Sequence, residues 1–101
     1  VEEVDEGDLI AEALGDKKVI ILQNHGILTT GPSVDIALWF YTSMERCCQA
    51  QLMADAAGET QLIPHDTAIK TRSFIANDVA AWASFQPAFD MICKKEPDLF
   101  D

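Results

Sequence analysis

The tripeptide Asn24-His25-Gly26 is the part of the sequence best suited to chemistry. An imidazole can bind a metal ion or move a proton, and a following glycine lets the backbone take a positive φ or approach a ligand closely. The apolar run Val19–Leu22 comes just before it, so His25 is predicted at the rim of a sheet, where a turn presents a side chain at a fixed position. A second interpretation is hairpin chemistry alone, because Asn and His tolerate left-handed conformations. The residues alone leave both interpretations open.

The rest of the chain offers few further chemical groups. His65 is the second of two histidines, so a complete histidine-based metal site within this chain is not expected; we interpret His65 as a loop residue near a helix cap. The sequence contains no H-x-H, H-E-x-x-H, C-x-x-C, G-x-S-x-G, P-loop or G-x-G-x-x-G motif. It therefore identifies no catalytic residue and no cofactor-binding motif.

The three cysteines do not form a disulfide framework, because their number is odd. Cys47 and Cys48 are neighbours and would point about 100° apart on a helix. We interpret all three, with Cys93, as reduced and mostly buried small hydrophobic residues. This cysteine usage predicts a cytoplasmic protein.

Charge and length exclude several classes of partner. With 17 Asp and Glu against 7 Lys and Arg, the net charge of −10 argues against binding nucleic acid or an anionic membrane surface. The longest apolar stretch, residues 36–41, is far shorter than the ~20 residues of a membrane span. The 101 residues form at most one domain. Because the chain begins at Val1 rather than Met, we expect a piece of a longer chain or a processed product.

Hydrophobic periodicity and capping residues predict a hairpin among several helices. Residues 1–6 are predicted to be a solvated end. The first predicted elements are a helix over 8–14 with Asp8 as N-cap and two strands over 19–22 and 27–30. A long helix then runs from the N-cap Ser33 to Ala57, and a linker covers 61–65. Three further helices are predicted: one starts at Asp66 or Thr67, one is capped by Asn77-Asp78 and reaches Phe85, and the last starts at Pro87 and is broken by Pro97. Strand 19–22 lacks alternation and is predicted to be buried on both faces.

The long helix is predicted to carry two apolar sides. One is a core-facing stripe at helical spacing, formed by Ala37, Phe40, Tyr41, Met44, Cys48, Gln51 and Leu52. The other contains Ile36, Leu38 and Trp39, so something besides the hairpin must pack on this helix. The group Trp82, Phe85 and Phe89 is interpreted as core or subunit interface. Two strands do not make a stable sheet layer, so the sequence predicts part of a larger α/β unit.

The sequence from Val19 to Gly31, V-I-I-L-Q-N-H-G-I-L-T-T-G, resembles the C-terminal half of the class II aldolase/adducin domain. Further positions on the long helix match as well: Ser33, Asp35, Ala37, Met44, Glu45, Arg46, Gln49 and Gln51. The resemblance covers residues 8–58, and 59–101 are predicted to be a C-terminal helical tail; residues 1–101 would thus be a partial domain. Residues 82–87 and 96–99 resemble the tail of a fungal subgroup.

The resemblance implies an α/β/α three-layer sandwich, of which this chain gives a β-hairpin and several helices. It implies that His25 is the third histidine ligand of a divalent ion, usually zinc. The H-x-H pair, the acidic catalytic residue and the Gly/Ser anion-binding loop of the family lie in an N-terminal half that this chain lacks. Glu45 and Arg46 match family positions but are interpreted as structural residues paired with neighbours.

The function implied is that of a metal-dependent lyase acting on a small hydroxy-carbonyl or carboxylated substrate through an enediolate. Family members also suggest epimerisation, dehydration or decarboxylation as outcomes. The expected partners are the missing N-terminal half, further copies of the chain in a homo-oligomer, and the small-molecule substrate. The alternative is a non-catalytic adducin-like domain with a cytoskeletal, actin-binding or scaffold role.

Overall fold

The structure, a computed structural model, describes residues 4–101, so part of the predicted solvated end at 1–6 lies outside the described residues. The first helix, α1, spans Val4–Leu14 and runs through Gly7 and Asp8. The prediction that Asp8 caps this helix is therefore wrong. The acidic residues Asp5 and Glu6 lie in its first turn, where they suit the positive end of the helix dipole. The helix ends at Gly15 as predicted, where the Gly15 N–H donates to the Ala11 carbonyl at 3.0 Å.

Two strands follow and form an antiparallel hairpin. Strand β1 is Val19–Leu22 and β2 is Gly26–Thr29, one residue earlier than predicted. Val19 pairs with Thr29 and Leu22 pairs with Gly26. The side chain of Ile21 is 60% exposed, so the prediction that β1 is buried on both faces is wrong in this structure.

The long helix α2, Val34–Ala57, has the predicted ends. The Ser33 hydroxyl caps it by accepting from the Ile36 N–H at 3.3 Å, and Gly58 follows the last turn. Its burial is not as predicted, because Leu52 is 71% exposed whereas Ile36, which we placed outside the stripe, is 7% exposed. Residues 49–57 are exposed throughout, so the core lies only on the N-terminal half of α2.

The tail contains α3 (His65–Ile75), α4 (Asp78–Lys95) and a short 3₁₀ turn (Pro97–Phe100). The Asn77 side chain caps α4 as predicted, accepting from the Ala80 N–H at 2.8 Å. Pro87 lies inside α4, so the prediction of a separate helix starting there is wrong. The helix continues through Pro87 although a proline removes one backbone N–H. Both ends of the helix are stabilised, the first by the Asn77 cap and the last by Lys94 and Lys95, whose charges suit the negative end of the helix dipole.

Helices α2 and α4 pack on each other and enclose the small core. Its buried residues are Ile36, Phe40 and Ala81, and Val19 and Trp39 pack against them. At one end of this contact, the Gln86 Nε2 donates to the Asp35 Oδ2 at 2.8 Å. Within the tail, the rings of Phe89 and Phe100 meet edge to face with centroids 6.3 Å apart.

The chain leaves an unusually large surface uncovered. Its accessible area is 8423 Å², against the ~5,700 Å² expected for a monomer of 11.1 kDa. The radius of gyration is 16.4 Å, against ~13 Å for a domain of this length. Cys47 is exposed and the free thiols of Cys48 and Cys93 are half-buried, so the prediction of mostly buried cysteines is wrong for Cys47. Within residues 4–101 no helix is both long and apolar enough to cross a membrane.

Candidate functional site

His25 lies in the turn of the hairpin and is exposed. Since Leu22 pairs with Gly26, the loop between the strands is the three residues Gln23, Asn24 and His25. The His25 N–H donates to the Leu22 carbonyl at 3.2 Å, which closes a four-residue turn. The turn therefore fixes the backbone of His25 and leaves its side chain exposed at the end of the hairpin.

Two residues give this turn its shape. Asn24 is the one non-glycine residue in the described part of the chain with a positive φ, at 65°. It is the third residue of the turn, a position that in type II turns requires a positive φ and accepts Asn or Gly. Gly26 has φ 138°, and a Cβ added there would meet nothing within 4 Å. Backbone conformation, rather than space, therefore favours glycine after His25.

The hairpin is held to α2 by contacts at the end of β2. The Thr29 Oγ1 donates to the Ala37 carbonyl at 2.8 Å. Two residues later the chain passes so close to α2 that a Cβ on Gly31 would lie 3.0 Å from the Ile36 Cγ2 and 3.0 Å from the Ala37 nitrogen. These contacts couple the strand that follows His25 to the buried part of the molecule.

Among residues 4–101, the surroundings of His25 offer one imidazole and not a complete set of metal-binding side chains. Within residues 4–101 no three His, Cys, Asp or Glu side chains are grouped so that they could hold a metal ion. A catalytic zinc site uses three protein ligands and keeps a further position open. An exposed imidazole on a fixed turn fits such an ion as a single ligand, and the other ligands would have to come from residues beyond this chain.

The other sequence-predicted residues are spread over the molecule rather than gathered around His25. His65 is the exposed first residue of α3, and Glu45 and Arg46 are exposed on α2. Trp82 is 50% exposed and Phe89 36%, so neither belongs to the core of this chain. The predicted pairing of Glu45 and Arg46 with neighbours stays a prediction.

A residue that the sequence analysis missed lies at the opposite end of the hairpin. Lys18, just before β1, donates through its Nζ to the Ala76 carbonyl at the end of α3. The same Nζ lies 4.8 Å from the centroid of the Phe40 ring. These contacts join the hairpin, α2 and the tail. Nothing local to Lys18 indicates them, because Ala76 is 58 residues away in sequence.

Comparison with known proteins identifies the family. The sequence profile of the "Class II Aldolase and Adducin N-terminal domain" matches residues 1–52, half of the chain. The chain therefore belongs to the class II aldolase/adducin family, as the resemblance at Asn24-His25-Gly26 and its flanks predicted.

Two relatives show the range of proteins that share this sequence. "Decarboxylase NovR" of Streptomyces niveus is 39% identical over 95 residues, which is 94% of this chain and 35% of the relative. "Alpha-adducin" of Rattus norvegicus is 38% identical over 58 residues, which is 54% of this chain and 8% of the relative. The chain thus spans about a third of the length of its first curated relatives.

The fold is shared with an enzyme whose structure has been solved. The structure of "L-fuculose 1-phosphate aldolase from Glaciozyma antarctica PI12" superposes with a TM-score of 0.88 at 40% identity, covering 95% of this chain and 39% of that one. The predicted class II aldolase fold is therefore confirmed, and the hairpin and helices described above are part of it.

Proposed function

We propose that this chain is part of a divalent-metal-dependent lyase and that His25 is one of the metal ligands. The observation that carries the proposal is the His25 turn, in which Asn24, His25 and Gly26 present an exposed imidazole on a closed backbone. Similarity to an aldolase and to a decarboxylase supports it. Both names describe cleavage of a carbon–carbon bond, in keeping with a small hydroxy-carbonyl or carboxylated substrate.

The role of His25 in this proposal is to hold the metal at a set position. Its main chain is fixed by the hydrogen bond to Leu22, so the imidazole is presented without a large loss of loop entropy on binding. Thr29 and Gly31 then fix the hairpin on α2. A bound divalent ion would act as a Lewis acid that polarises a substrate carbonyl or carboxylate oxygen.

The remaining metal ligands and the catalytic acid or base would come from an N-terminal half of the same domain. The support for this is the single histidine at the turn, together with relatives about three times as long as this chain. The large uncovered surface is consistent with such a half packing on the hairpin and α2. Assembly into a homo-oligomer stays a prediction from the family resemblance.

The two histidines of this chain provide a matched test. We would express the full-length gene product, load it with zinc, and measure bound metal by native mass spectrometry for the His25→Ala and His65→Ala variants. Because both side chains are exposed, neither change should unfold the protein. We expect His25→Ala to lose most of the zinc and His65→Ala to retain it, since loss of a ligand lowers metal affinity strongly.

The activity measurement follows the same pair of variants. Retro-aldol cleavage and decarboxylation assays on small hydroxy-carbonyl and carboxylated compounds should lose activity in His25→Ala and keep it in His65→Ala. Zinc retention by His25→Ala, or equal loss from both variants, would contradict the proposal. His25 would then be a turn residue without a ligand role.

A second candidate function is an adducin-like domain without catalysis. The similarity of 58 residues of this chain to alpha-adducin supports it. It predicts that the full-length protein binds no stoichiometric zinc, cleaves none of the compounds, and acts through protein contacts. The metal measurement on the unmodified protein therefore distinguishes the two candidates before any variant is made.

A further inference from the structure

An open groove of about 1030 Å³ lies at the end of the hairpin opposite to His25. One wall is the segment from Asp16 to Val19, and the other comes from the end of α3 and the beginning of α4. The groove thus brings together two stretches of chain that are at least 50 residues apart in sequence. It shares no residue with the His25 turn.

Cations are concentrated in this groove. Lys17, Lys18 and Arg72 line it, and they are three of the seven Lys and Arg residues in a chain with a net charge of −10. Two acids, Asp16 and Asp78, line it as well, so its formal charge is about +1. Against the acidic character of the whole chain, this groove is a place where an anion would meet attraction.

The donors available to a ligand are the cations themselves. The Ser73 hydroxyl donates to the Lys70 carbonyl, and the Asn77 amide donates to the carbonyls of Ser73 and Phe74, so both are engaged within the tail. Lys18 uses one of its three N–H donors on Ala76 and is held over the Phe40 ring. Its ammonium group is thereby fixed in the groove before any ligand arrives.

We propose that this groove binds a small anion with a single phosphate or carboxylate group, between Lys17 and Lys18 on one wall and Arg72 on the other. A guanidinium can grip two oxygens of such a group at once, and an ammonium adds a point charge. The two acids limit the attraction to anions of low charge and disfavour polyanions such as nucleic acid.

This site is separate from the proposed metal site. Strand β1 lies between the two, and its four residues span ~13 Å at ~3.3 Å per residue. The anion bound here is therefore a second ligand and not the substrate group held near His25. The proposal does not depend on the proposed function.

The test is a calorimetric titration of the full-length gene product with inorganic phosphate and, separately, with acetate, both at constant ionic strength against a chloride blank. We expect Lys17→Ala and Arg72→Ala each to weaken binding roughly ten- to a hundredfold, the effect of losing a hydrogen bond from a charged donor. The matched control Lys95→Ala removes the same charge from the end of α4, outside the groove, and should change the affinity less than twofold.

Anion binding that both Lys17→Ala and Arg72→Ala weaken supports the site, and a preference for phosphate over acetate, or the reverse, then assigns the ligand as a phosphate or a carboxylate. Anion binding that neither variant weakens would place the ligand elsewhere in the full-length protein and overturn the proposal. His25→Ala should bind the anion as tightly as the unmodified protein, which separates this site from the metal site. Heats no larger than the chloride blank would overturn the proposal, as would an equal loss of affinity in Lys95→Ala. Lys18 and Arg72 would then serve only to neutralise the carbonyl end of α3.

Discussion

The hairpin with the first half of α2 and the tail after Gly58 differ sharply in how they are held. The first region contributes Ile36 and Phe40 to the core and adds the bond from Thr29 to Ala37. In the tail, every residue of α3 is exposed and α4 buries only Ala81. The candidate metal ligand thus lies on the region that supplies two of the three buried side chains, whereas the tail joins that region through α4, whose contact with α2 is the most extensive between any two described elements.

The two regions differ in how rigidly they hold the side chains that they carry. A ligand on a turn is useful only if the turn is fixed, and the contacts near His25 do fix it. The tail touches the first region through the packing of α4 on α2 around Ala81, the bond from Gln86 to Asp35, and the bond from Lys18 to Ala76. Substitutions in the two regions should therefore differ in size and even in sign, as measured by the free energy of unfolding.

The largest difference is expected between two phenylalanines. Phe40→Ala empties a site that is 8% exposed in a core of three residues, and we expect it to lower the free energy of unfolding by about 3–5 kcal/mol. Phe74→Ala makes the same change in α3, where the ring is 69% exposed, and should alter the free energy of unfolding by less than ~0.5 kcal/mol. Urea unfolding followed by circular dichroism measures both. Equal effects would mean that the tail ring is covered in the assembled protein.

The next effect concerns the close approach of Gly31 to α2. A methyl group there would lie 3.0 Å from the Ile36 Cγ2, and relieving this overlap should cost roughly 1–3 kcal/mol. The same thermal or urea melt should detect it, and the proposed metal binding at His25 should weaken along with stability because the hairpin shifts. A Gly31→Ala variant as stable as the unmodified protein would show that the end of β2 can move away from α2 freely.

One substitution in the tail is expected to raise the free energy of unfolding rather than lower it. Pro87 lies inside α4 and cannot donate a backbone hydrogen bond. Pro87→Ala restores that donor and removes the ring from the helix, and we expect a gain of ~1–2 kcal/mol after the higher entropy of the unfolded chain is subtracted. The helical signal of α4 should rise and its amide exchange should slow. A loss of stability would instead assign a packing role to the proline ring.

The smallest effect tests the link between the two regions. Lys18→Met keeps an apolar stem but loses the hydrogen bond to the Ala76 carbonyl and the charge over the Phe40 ring. Because these contacts lie at an exposed position, we expect their loss to lower the free energy of unfolding by about 1 kcal/mol. Hydrogen exchange should increase in α3 and α4 while the hairpin amides stay protected. Uniformly faster exchange across the chain would show that the regions unfold together rather than separately.

The sequence predicts those parts of the fold that neighbouring residues decide. Ser33 and Asn77 cap their helices because their side chains reach backbone N–H groups three residues on. The Asn24-His25-Gly26 turn follows from residues that accept unusual φ values. The candidate site and the family resemblance both follow from this short stretch and its flanks.

Features decided by distant contacts were not predictable. The periodic stripe on α2 includes Leu52, yet burial depends on where α4 lies, and that contact favours Ile36 instead. Pro87 is a helix breaker by local rules, but helical residues on both sides keep α4 continuous. The groove forms only when folding brings Lys17 and Arg72 together, so no sequence motif predicts it.

The long sequence separation between Lys18 and Ala76 has a consequence for how this protein is made. During synthesis, β1, β2 and the first turns of α2 are joined by contacts that are local in sequence, so they can form while the tail is still being translated. Docking of α3 and α4 closes a loop of nearly sixty residues and should be a later, slower event on the ribosome. A pause or truncation before Ala76 would therefore leave a nascent hairpin with its groove half built, already shaped at His25 but open at the other end.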